Sequence, residues 1–315
     1  MQAVVIQEGK LQIVERDAPV PGPDEVVVAV RAAGINAADL LQLQGIYPAP
    51  PGWPVDIPGL EMAGIVSAVG RDVHEALLGR RVCAVVGGGA QATHCLVPAE
   101  HLTFVPEQVG WSEAGGFAEA FTTAHDGLVT QAGLREGERV LVSGASGGVG
   151  TAAVQIANRL GAHITAVTRS DVHHEALRAL GADETITLGE VAGIGHVDVV
   201  LELVGAAHLA LAQKVLAPFA RVVIIGVGGG SRMDLDLLNL MATRATLTGS
   251  TLRSRSRQEK AEVIARVNEE LVPLWASDQL RVPLAQTFEL ADAAAAYEHF
   301  ARPGKFGKIV LLVEQ

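Results

Sequence analysis

The chain has 315 residues, a formal net charge of −11, 49% hydrophobic residues and 19% charged residues. This length exceeds what one hydrophobic core usually supports, so two domains are expected, and the composition excludes general disorder. Because the balance is acidic and no block of Lys or Arg stands out, a nucleic-acid partner is not expected.

Cysteine usage and the first residues favour a cytoplasmic protein. Cys83 and Cys95 form no CxxC pair and cannot build the disulfide framework of a secreted domain. The N-terminal residues lack the order of a signal peptide, and no apolar run is long enough to span a bilayer. We therefore expect a cytoplasmic location and no membrane partner.

The first part of the chain predicts a β-rich domain over residues 1–121. Short alternating or apolar segments at 2–6, 25–30 and 64–70 are separated by segments rich in Pro and Gly. Such runs between turn residues are typical of strands in a small barrel or sandwich.

The middle of the chain, residues 122–258, alternates strands with helices. Strands are predicted at 139–143, 163–168, 184–187, 197–201 and 221–225, and helices at 149–160, 171–180 and 206–216. This alternation predicts βαβ units and a parallel sheet, and the nearly continuous apolar strands suit a sheet covered on both faces. The fold class is therefore α/β, a doubly wound parallel sheet of the Rossmann type joined to a β-rich domain.

The last part predicts an edge strand at 246–251, a long helix at 257–275, a helix at 291–300 and a strand at 307–313. We expect residues 259–315 to return to the first domain.

The strongest chemical signal is the glycine turn from Val140 to Gly150, which reads VLVSGASGGVG. It follows a strand and opens a helix, where backbone N–H groups and the helix dipole favour a pyrophosphate. An ordinary Gly-rich turn is the alternative.

The tyrosines argue against a short-chain dehydrogenase, which has a similar glycine turn. That class would need a Lys four residues after its catalytic Tyr, but Tyr47 and Tyr297 are followed there by Pro51 and Ala301.

Several motifs together resemble the quinone oxidoreductases, the zeta-crystallin-like branch of the medium-chain dehydrogenases. They are Gly34-Ile-Asn36-x-x-Asp39, Gly45-Ile-Tyr47-Pro48, Pro58-Gly-Leu-Glu-x-x-Gly64, Phe121-Thr-Thr-Ala-His-Asp126, Gly304-Lys-Phe-Gly-Lys-Ile-Val-Leu311 and the glycine turn. The resemblance covers nearly the whole chain. It implies a GroES-like substrate domain, a Rossmann domain, a cleft between them and a homodimer.

The same resemblance implies roles for individual residues. Asn36 and Thr122 would lie beside the nicotinamide, and Tyr47 would line the substrate pocket. The other implied cofactor contacts fall in three groups: Ser146, Gly147, Gly148 and Val149 for the pyrophosphate; Val204, Gly205, Gly226 and Val227 for the ribose or nicotinamide; Thr251 and Leu252 as a loop over the cofactor.

The end of the second predicted strand favours NADPH over NADH. NAD-specific Rossmann domains place an acidic residue there for the ribose hydroxyls. Here the chain reads Thr168-Arg169-Ser170, with His173 close behind, and Arg169 and Ser170 can bind a 2′-phosphate. A solvated surface arginine is the alternative interpretation.

The ligand positions of the zinc-dependent relatives carry other residues. Their Gly-His-Glu motif reads Gly59-Leu60-Glu61 here, and the early cysteine is missing from residues 34–39. A site of His94, Cys95 and His101 is conceivable, but adjacent residues on a strand point to opposite faces. We therefore expect no metal and a structural role for Glu61.

These features predict an NADPH-dependent reductase that transfers a hydride to a quinone or a related activated C=C or C=O acceptor. Asn36 and Tyr47 are the candidate catalytic residues; Tyr47 either donates a proton or only forms the pocket wall. An enone, alkenal or enoyl-thioester acceptor is the alternative within this class. A non-catalytic NADPH-binding protein is the other alternative, disfavoured because Asn36, Thr122 and the glycine turn are all present.

Overall fold

The computed structural model describes residues 1–314, which form two compact units. One unit is Met1–Thr122 together with the chain from Leu252 onward, and the other is Thr123–Thr251. In the described residues, no helix is both long enough and apolar enough to cross a bilayer.

The strands and helices are numbered in chain order. The strands are β1 Gln2–Gln7, β2 Lys10–Glu15, β3 Glu25–Ile35, β4 Glu61–Val69, β5 Arg81–Val85, β6 His94–Pro98, β7 Leu102–Phe104, β8 Arg139–Val142, β9 His163–Thr168, β10 Glu184–Thr187, β11 Val197–Glu202, β12 Leu216–Ile224, β13 Thr246–Gly249, β14 Leu284–Glu289 and β15 Lys308–Leu312. The α-helices are α1 Ala37–Leu43, α2 Trp111–Ala114, α3 Ala118–His125, α4 Gly148–Arg159, α5 His174–Ala179, α6 Ala206–Ala212, α7 Leu237–Thr243, α8 Arg257–Glu270, α9 Val272–Ala276 and α10 Ala293–Ala301.

The first unit is built on a mixed sheet with the strand order β14-β15-β3-β4-β5-β7, and β6 also pairs with β3. The long strand β3 is buried along most of its length because its Val and Ala side chains pack on both faces. The predicted C-terminal strand does return to this unit, since β15 runs antiparallel to β3 with Ile309 opposite Ile35.

The second unit contains a parallel sheet with the strand order β10-β9-β8-β11-β12-β13. The chain starts in the middle at β8, builds outward to β10, then crosses over and builds outward to β13. This is the doubly wound order of a Rossmann domain, which confirms the predicted fold class.

Three predicted elements differ from the structure. The long helix over 257–275 is two helices, α8 and α9, because Pro273 lacks the N–H that a continuous helix needs. The helix over 206–216 ends at Ala212, and β12 begins at Leu216, because Pro218 restricts the residue before it to extended backbone. The helix over 171–180 begins as a 3₁₀ turn and is α-helical only in α5.

The return to the first unit starts at Leu252, earlier than the predicted residue 259. Arg253 explains the difference, because its buried guanidinium donates to the carbonyl oxygens of Gly87 at 2.9 Å and Tyr47 at 3.0 Å. It also donates to the side chain of Gln42. These bonds hold the segment 252–258 on the first unit.

Candidate active site

The glycine turn lies where the sequence places it, between β8 and α4. Gly147 is the N-cap of α4, so Ser146, Gly147, Gly148 and Val149 surround the helix N-terminus. A Cβ at Gly150 would lie 2.5 Å from the carbonyl oxygen of Gly144, so the turn needs glycine here. The first N–H groups of a helix have no partner within it and can bind an anion.

The other predicted cofactor residues of the second unit follow the ends of neighbouring parallel strands. Thr168 ends β9 with Arg169 and Ser170 behind it, Val204 and Gly205 follow β11, Gly226 and Val227 follow β12, and Thr251 lies beyond β13. Because parallel strands end at one edge of a sheet, this unit gathers them at its carboxyl edge, where α/β sheets bind ligands. Gly226 is required there, since a Cβ would lie 2.1 Å from the carbonyl oxygen of Leu203.

Arg169 is exposed and makes no hydrogen bond or ion pair to another described residue. Beside it, the hydroxyl of Thr168 donates to the carbonyl oxygen of Ser170 at 2.8 Å and lies 2.9 Å from a ring nitrogen of His174. The sequence interpretation named His173 and missed His174. The turn therefore presents an arginine that makes no ion pair with a described carboxylate.

Glu202 is a further residue that the sequence interpretation missed. Its buried carboxylate accepts 2.7 Å hydrogen bonds from the hydroxyl of Ser143 and from the N–H groups of Val204 and Gly205. It thereby fixes the backbone of two predicted cofactor contacts. An acidic residue at the end of an apolar strand was the signal available for it in the sequence.

In the first unit, Asn36 is the N-cap of α1 and its amide is held at both ends. The amide nitrogen donates to Glu61 at 2.9 Å, and the amide oxygen accepts from the ammonium of Lys308 at 2.7 Å. Lys308 also forms an ion pair with Glu61, and both are buried. Lys308, at the start of β15, is a site residue that the sequence interpretation did not single out.

Asp39 stabilises the backbone around Asn36 through hydrogen bonds. Its carboxylate accepts hydrogen bonds from the backbone N–H of Asn36 at 2.8 Å and of Gly59 at 3.0 Å. Burial raises the pKa of Asp39 to about 7, against the lowering effect of those two N–H groups and of Lys308 and Arg253.

Tyr47 and Thr122 also belong to the first unit, as does Leu252, which is buried. The Arg253 guanidinium lies 5.0 Å from the centre of the Tyr47 ring, a cation–π distance that stabilises the ring position. The hydroxyl of Thr122 is buried and has no hydrogen-bond partner among the described residues. Buried hydroxyls are normally bonded, so this one fits a polar group brought by a bound molecule, such as the carboxamide of a nicotinamide.

Two protein families match the two parts of the chain. The family described as "Alcohol dehydrogenase GroES-like domain" matches residues 22–133, and "Zinc-binding dehydrogenase" matches residues 148–269. Quinone oxidoreductase-like protein 2 of Bos taurus is 29% identical over 95% of this chain and 88% of its own length. The solved structure of a mycobacterial protein in complex with NADPH, 26% identical, covers 99% of this chain and 100% of that one with a TM-score of 0.87. The chain belongs to the medium-chain dehydrogenase/reductase superfamily.

Members of this superfamily also occur as segments of much larger proteins. The spectinabilin polyketide synthase system protein NorB of Streptomyces orinoci is 35% identical over 92% of this chain. The chain spans only 13% of that relative's length. As a medium-chain dehydrogenase/reductase, the chain is an oxidoreductase, and it is similar both to proteins of about its own length and to part of a much longer polyketide synthase protein.

The residues around Glu61 bear on whether this chain binds a metal ion. Leu60, at the position of the histidine in the Gly-His-Glu motif, is buried, and the neighbouring Glu61 is paired with Lys308. On β6, Cys95 is buried while His94 is half-buried, as expected for adjacent strand residues. Over residues 1–314, no group of three or more His, Cys, Asp or Glu side chains is placed to hold a metal ion.

Proposed function

We propose that the chain is an NADPH-dependent reductase that transfers a hydride to a quinone, or to a related activated C=C or C=O acceptor, without a metal. The observation that carries this proposal is the cluster of Asn36, Glu61 and Lys308. In it an ammonium group, rather than a metal ion, neutralises the buried carboxylate beside the candidate catalytic asparagine.

This charge arrangement favours some acceptors over others. Oxidation of an alcohol usually relies on a Lewis acid that stabilises the alkoxide. A quinone or an enone is already electrophilic, so it requires positioning and exclusion of water more than activation. When bound, the reduced nicotinamide supplies the hydride. The proton comes from solvent or from the Tyr47 hydroxyl.

The cofactor preference rests on Arg169. An exposed guanidinium that makes no ion pair with a described residue is suited to bidentate binding of a 2′-phosphate. Ser146, Gly147, Gly148 and Val149 would hold the pyrophosphate at the N-terminus of α4. The NADPH complex of the mycobacterial relative also supports NADPH as the cofactor.

An enoyl-thioester acceptor is a second candidate. It is favoured by the resemblance to the Streptomyces polyketide synthase protein, in which a segment similar to this chain is part of a much longer protein. The chemistry at the nicotinamide would be the same, because an enoyl thioester is also an activated C=C bond.

A panel assay tests the proposal. NADPH oxidation is followed at constant enzyme with menadione, an alkenal and a crotonyl thioester in turn. We expect turnover with menadione, and turnover with the thioester alone would favour the second candidate. Tight NADPH binding with no turnover on any acceptor would instead support a non-catalytic NADPH-binding protein.

A further inference from the structure

A cavity of about 590 Å³ opens in the first unit next to the Tyr47 loop. Its walls include the segment 50–54, the glycines Gly88 and Gly89, and Lys260 from α8. All lining residues belong to the first unit. A volume of this size accommodates a small organic molecule.

Lys260 is the unusual residue of this cavity. It is only 4% exposed, yet among the described residues its ammonium makes no hydrogen bond or ion pair. Its close contact is the face of Trp53, whose ring centre lies 5.6 Å away. Burial lowers the pKa of Lys260, with Glu119 opposing and Arg253 adding to the effect. An ammonium with little access to water and no ion-pair partner would gain free energy from a bound anion.

Two other charged residues of the wall already have protein partners. Arg257 is paired with Asp24 at 2.7 Å and Glu100 at 2.7 Å. Glu25 accepts a hydrogen bond from the N–H of Gly22 at 2.9 Å. Lys260, in contrast, makes no ion pair with a described carboxylate, and Glu119 acts on it only from beyond ion-pair distance.

The apolar part of the cavity is held in place by Trp53. Its indole packs closely against Gly87, where a Cβ would come within 2.4 Å of the ring. Prolines at 50, 51 and 54 continue this wall. Arg253, which also lines the cavity, contacts the Tyr47 ring and carbonyl, so the cavity lies beside the candidate catalytic tyrosine.

We propose that this cavity binds an anionic group, such as a carboxylate, carried by the hydride acceptor, with Lys260 as its ion-pair partner and Trp53 and the prolines against its apolar body. The proposal rests on the reductase function and predicts that apolar acceptors bearing an acidic group are preferred over neutral ones such as menadione. Lys260 is a specificity residue here, since it binds the acceptor away from the reacting carbon.

Binding is tested without turnover by calorimetry with two inert probes, 2-naphthoate and its neutral analogue methyl 2-naphthoate. We expect the unaltered protein to bind the carboxylate about tenfold more tightly than the ester, as a charge-assisted hydrogen bond implies. Lys260→Met should remove this preference, and Lys260→Arg should keep most of it. Lys10→Met, which removes an exposed lysine of the same unit, is the matched control and should change nothing.

Kinetics then connect the cavity to the reaction. 2-Naphthoate should inhibit menadione reduction competitively with menadione, and about tenfold less effectively in Lys260→Met. Equal binding of acid and ester, or a preference that survives both Lys260→Met and Lys260→Gln, would overturn the anion site. Inhibition that is not competitive with the acceptor would overturn its assignment to the substrate. If menadione, the alkenal and the crotonyl thioester are all left unreduced, the reductase proposal fails, while calorimetry still decides the anion site.

Discussion

The side chains of Glu61 and Lys308 are both buried, and each is the counter-charge of the other. A charge taken out of water loses its hydration, and the partner charge with its hydrogen bonds offsets that loss. Asn36 contributes a bond to each member of the pair. The position of the candidate catalytic amide therefore depends on an ion pair between residues that are 247 positions apart in the sequence.

Lys308→Met should therefore destabilise the protein by about 3 to 5 kcal/mol, because it leaves Glu61 buried without a counter-charge. The double variant Glu61→Gln/Lys308→Met should recover much of this loss, since it removes both charges. Urea unfolding followed by circular dichroism measures the free energy of unfolding of each variant. A double variant no more stable than Lys308→Met would contradict the proposed dependence.

Arg169 determines the choice of cofactor in the proposed function. Arg169→Ala should weaken NADPH binding by about tenfold or more, the loss of a charge-assisted contact, and leave NADH binding nearly unchanged. KM values for both cofactors with menadione measure the effect. Arg159→Ala, an arginine in the last turn of α4, is a suitable control. An unchanged NADPH/NADH preference in Arg169→Ala would show that the arginine is only a solvated surface charge.

At the scale of elements, the ion pair of Arg221 and Glu138 joins β12 to the turn that precedes β8. The guanidinium donates to both carboxylate oxygens of Glu138, at 2.9 and 2.7 Å, and to the carbonyl oxygens of Ala132 at 2.8 Å and Gly133 at 3.1 Å. The hydrogen bond from Arg221 is the main cause of the lowered pKa of Glu138. The strands β8 and β12 are not neighbours in the Rossmann sheet. The pair therefore stabilises the sheet by linking β12 to the turn before β8.

The ion pair of Arg221 and Glu138 predicts that the stability of the protein depends on pH. Because folding lowers the pKa of Glu138 below its usual 4.5, its contribution to stability is present above that pH. The contribution is lost as the pH falls through the lower pKa of the folded state. Glu138→Gln should lower the free energy of unfolding by about 1 kcal/mol at pH 7. Below pH 4.5 the stability of this variant should fall less steeply than that of the unaltered protein. The exposed Glu136→Gln is the control, and parallel acid-unfolding curves for the two variants would contradict the assignment.

The local sequence pattern predicted many of the strands and helices correctly, but not all of them. The alternation of apolar strands with helices predicted the parallel sheet, and the glycine turn predicted the start of α4. The helical spacing of apolar residues continues through residues 271–275, so it did not predict that the helix over 257–275 is interrupted. Pro273 was the residue that signals the interruption. Lys308 was missed because its meaning depends on a contact with Glu61, 247 residues away. No local pattern encodes such a pair.

At the scale of the whole molecule, the candidate residues are divided between two units. Asn36, Tyr47, Thr122 and Leu252 belong to the first, and the glycine turn and Arg169 to the second. Spacing in the sequence could not associate residues so far apart. Only the resemblance to a family, carried by several motifs in order, indicated that they serve one reaction.

Activity should survive removal of metal ions. Leu60 replaces a ligand histidine, and Lys308 already neutralises Glu61. Dialysis against a strong chelator, followed by the menadione assay, should leave the rate within the error of an undialysed sample. A zinc-dependent alcohol dehydrogenase treated in parallel shows that the chelator works. Loss of activity that added zinc restores would contradict the metal-free proposal.

We also expect the protein to be a homodimer formed through the second unit. Within the described sheet β13 pairs with β12 alone, and its residues Thr246–Gly249 carry neither charge nor proline to guard the open edge. On the preceding helix α7, Leu238 is 79% and Met241 72% exposed. Pairing of β13 with its symmetry mate would satisfy the open backbone groups, and the same two-fold contact would cover the apolar side chains.

Light scattering at micromolar concentration decides the oligomeric state, since one chain weighs 32.8 kDa and a dimer twice that. Leu247→Pro removes a backbone donor within β13, and Leu238→Glu/Met241→Glu places charges on α7. Each should shift the mass toward one chain without unfolding the sheet, which far-UV circular dichroism checks. Leu78→Glu, an exposed apolar position of the first unit, is the matched control. A dimer that persists in both variants would place the interface elsewhere, and a mass near 32.8 kDa for the unaltered protein would rule the dimer out.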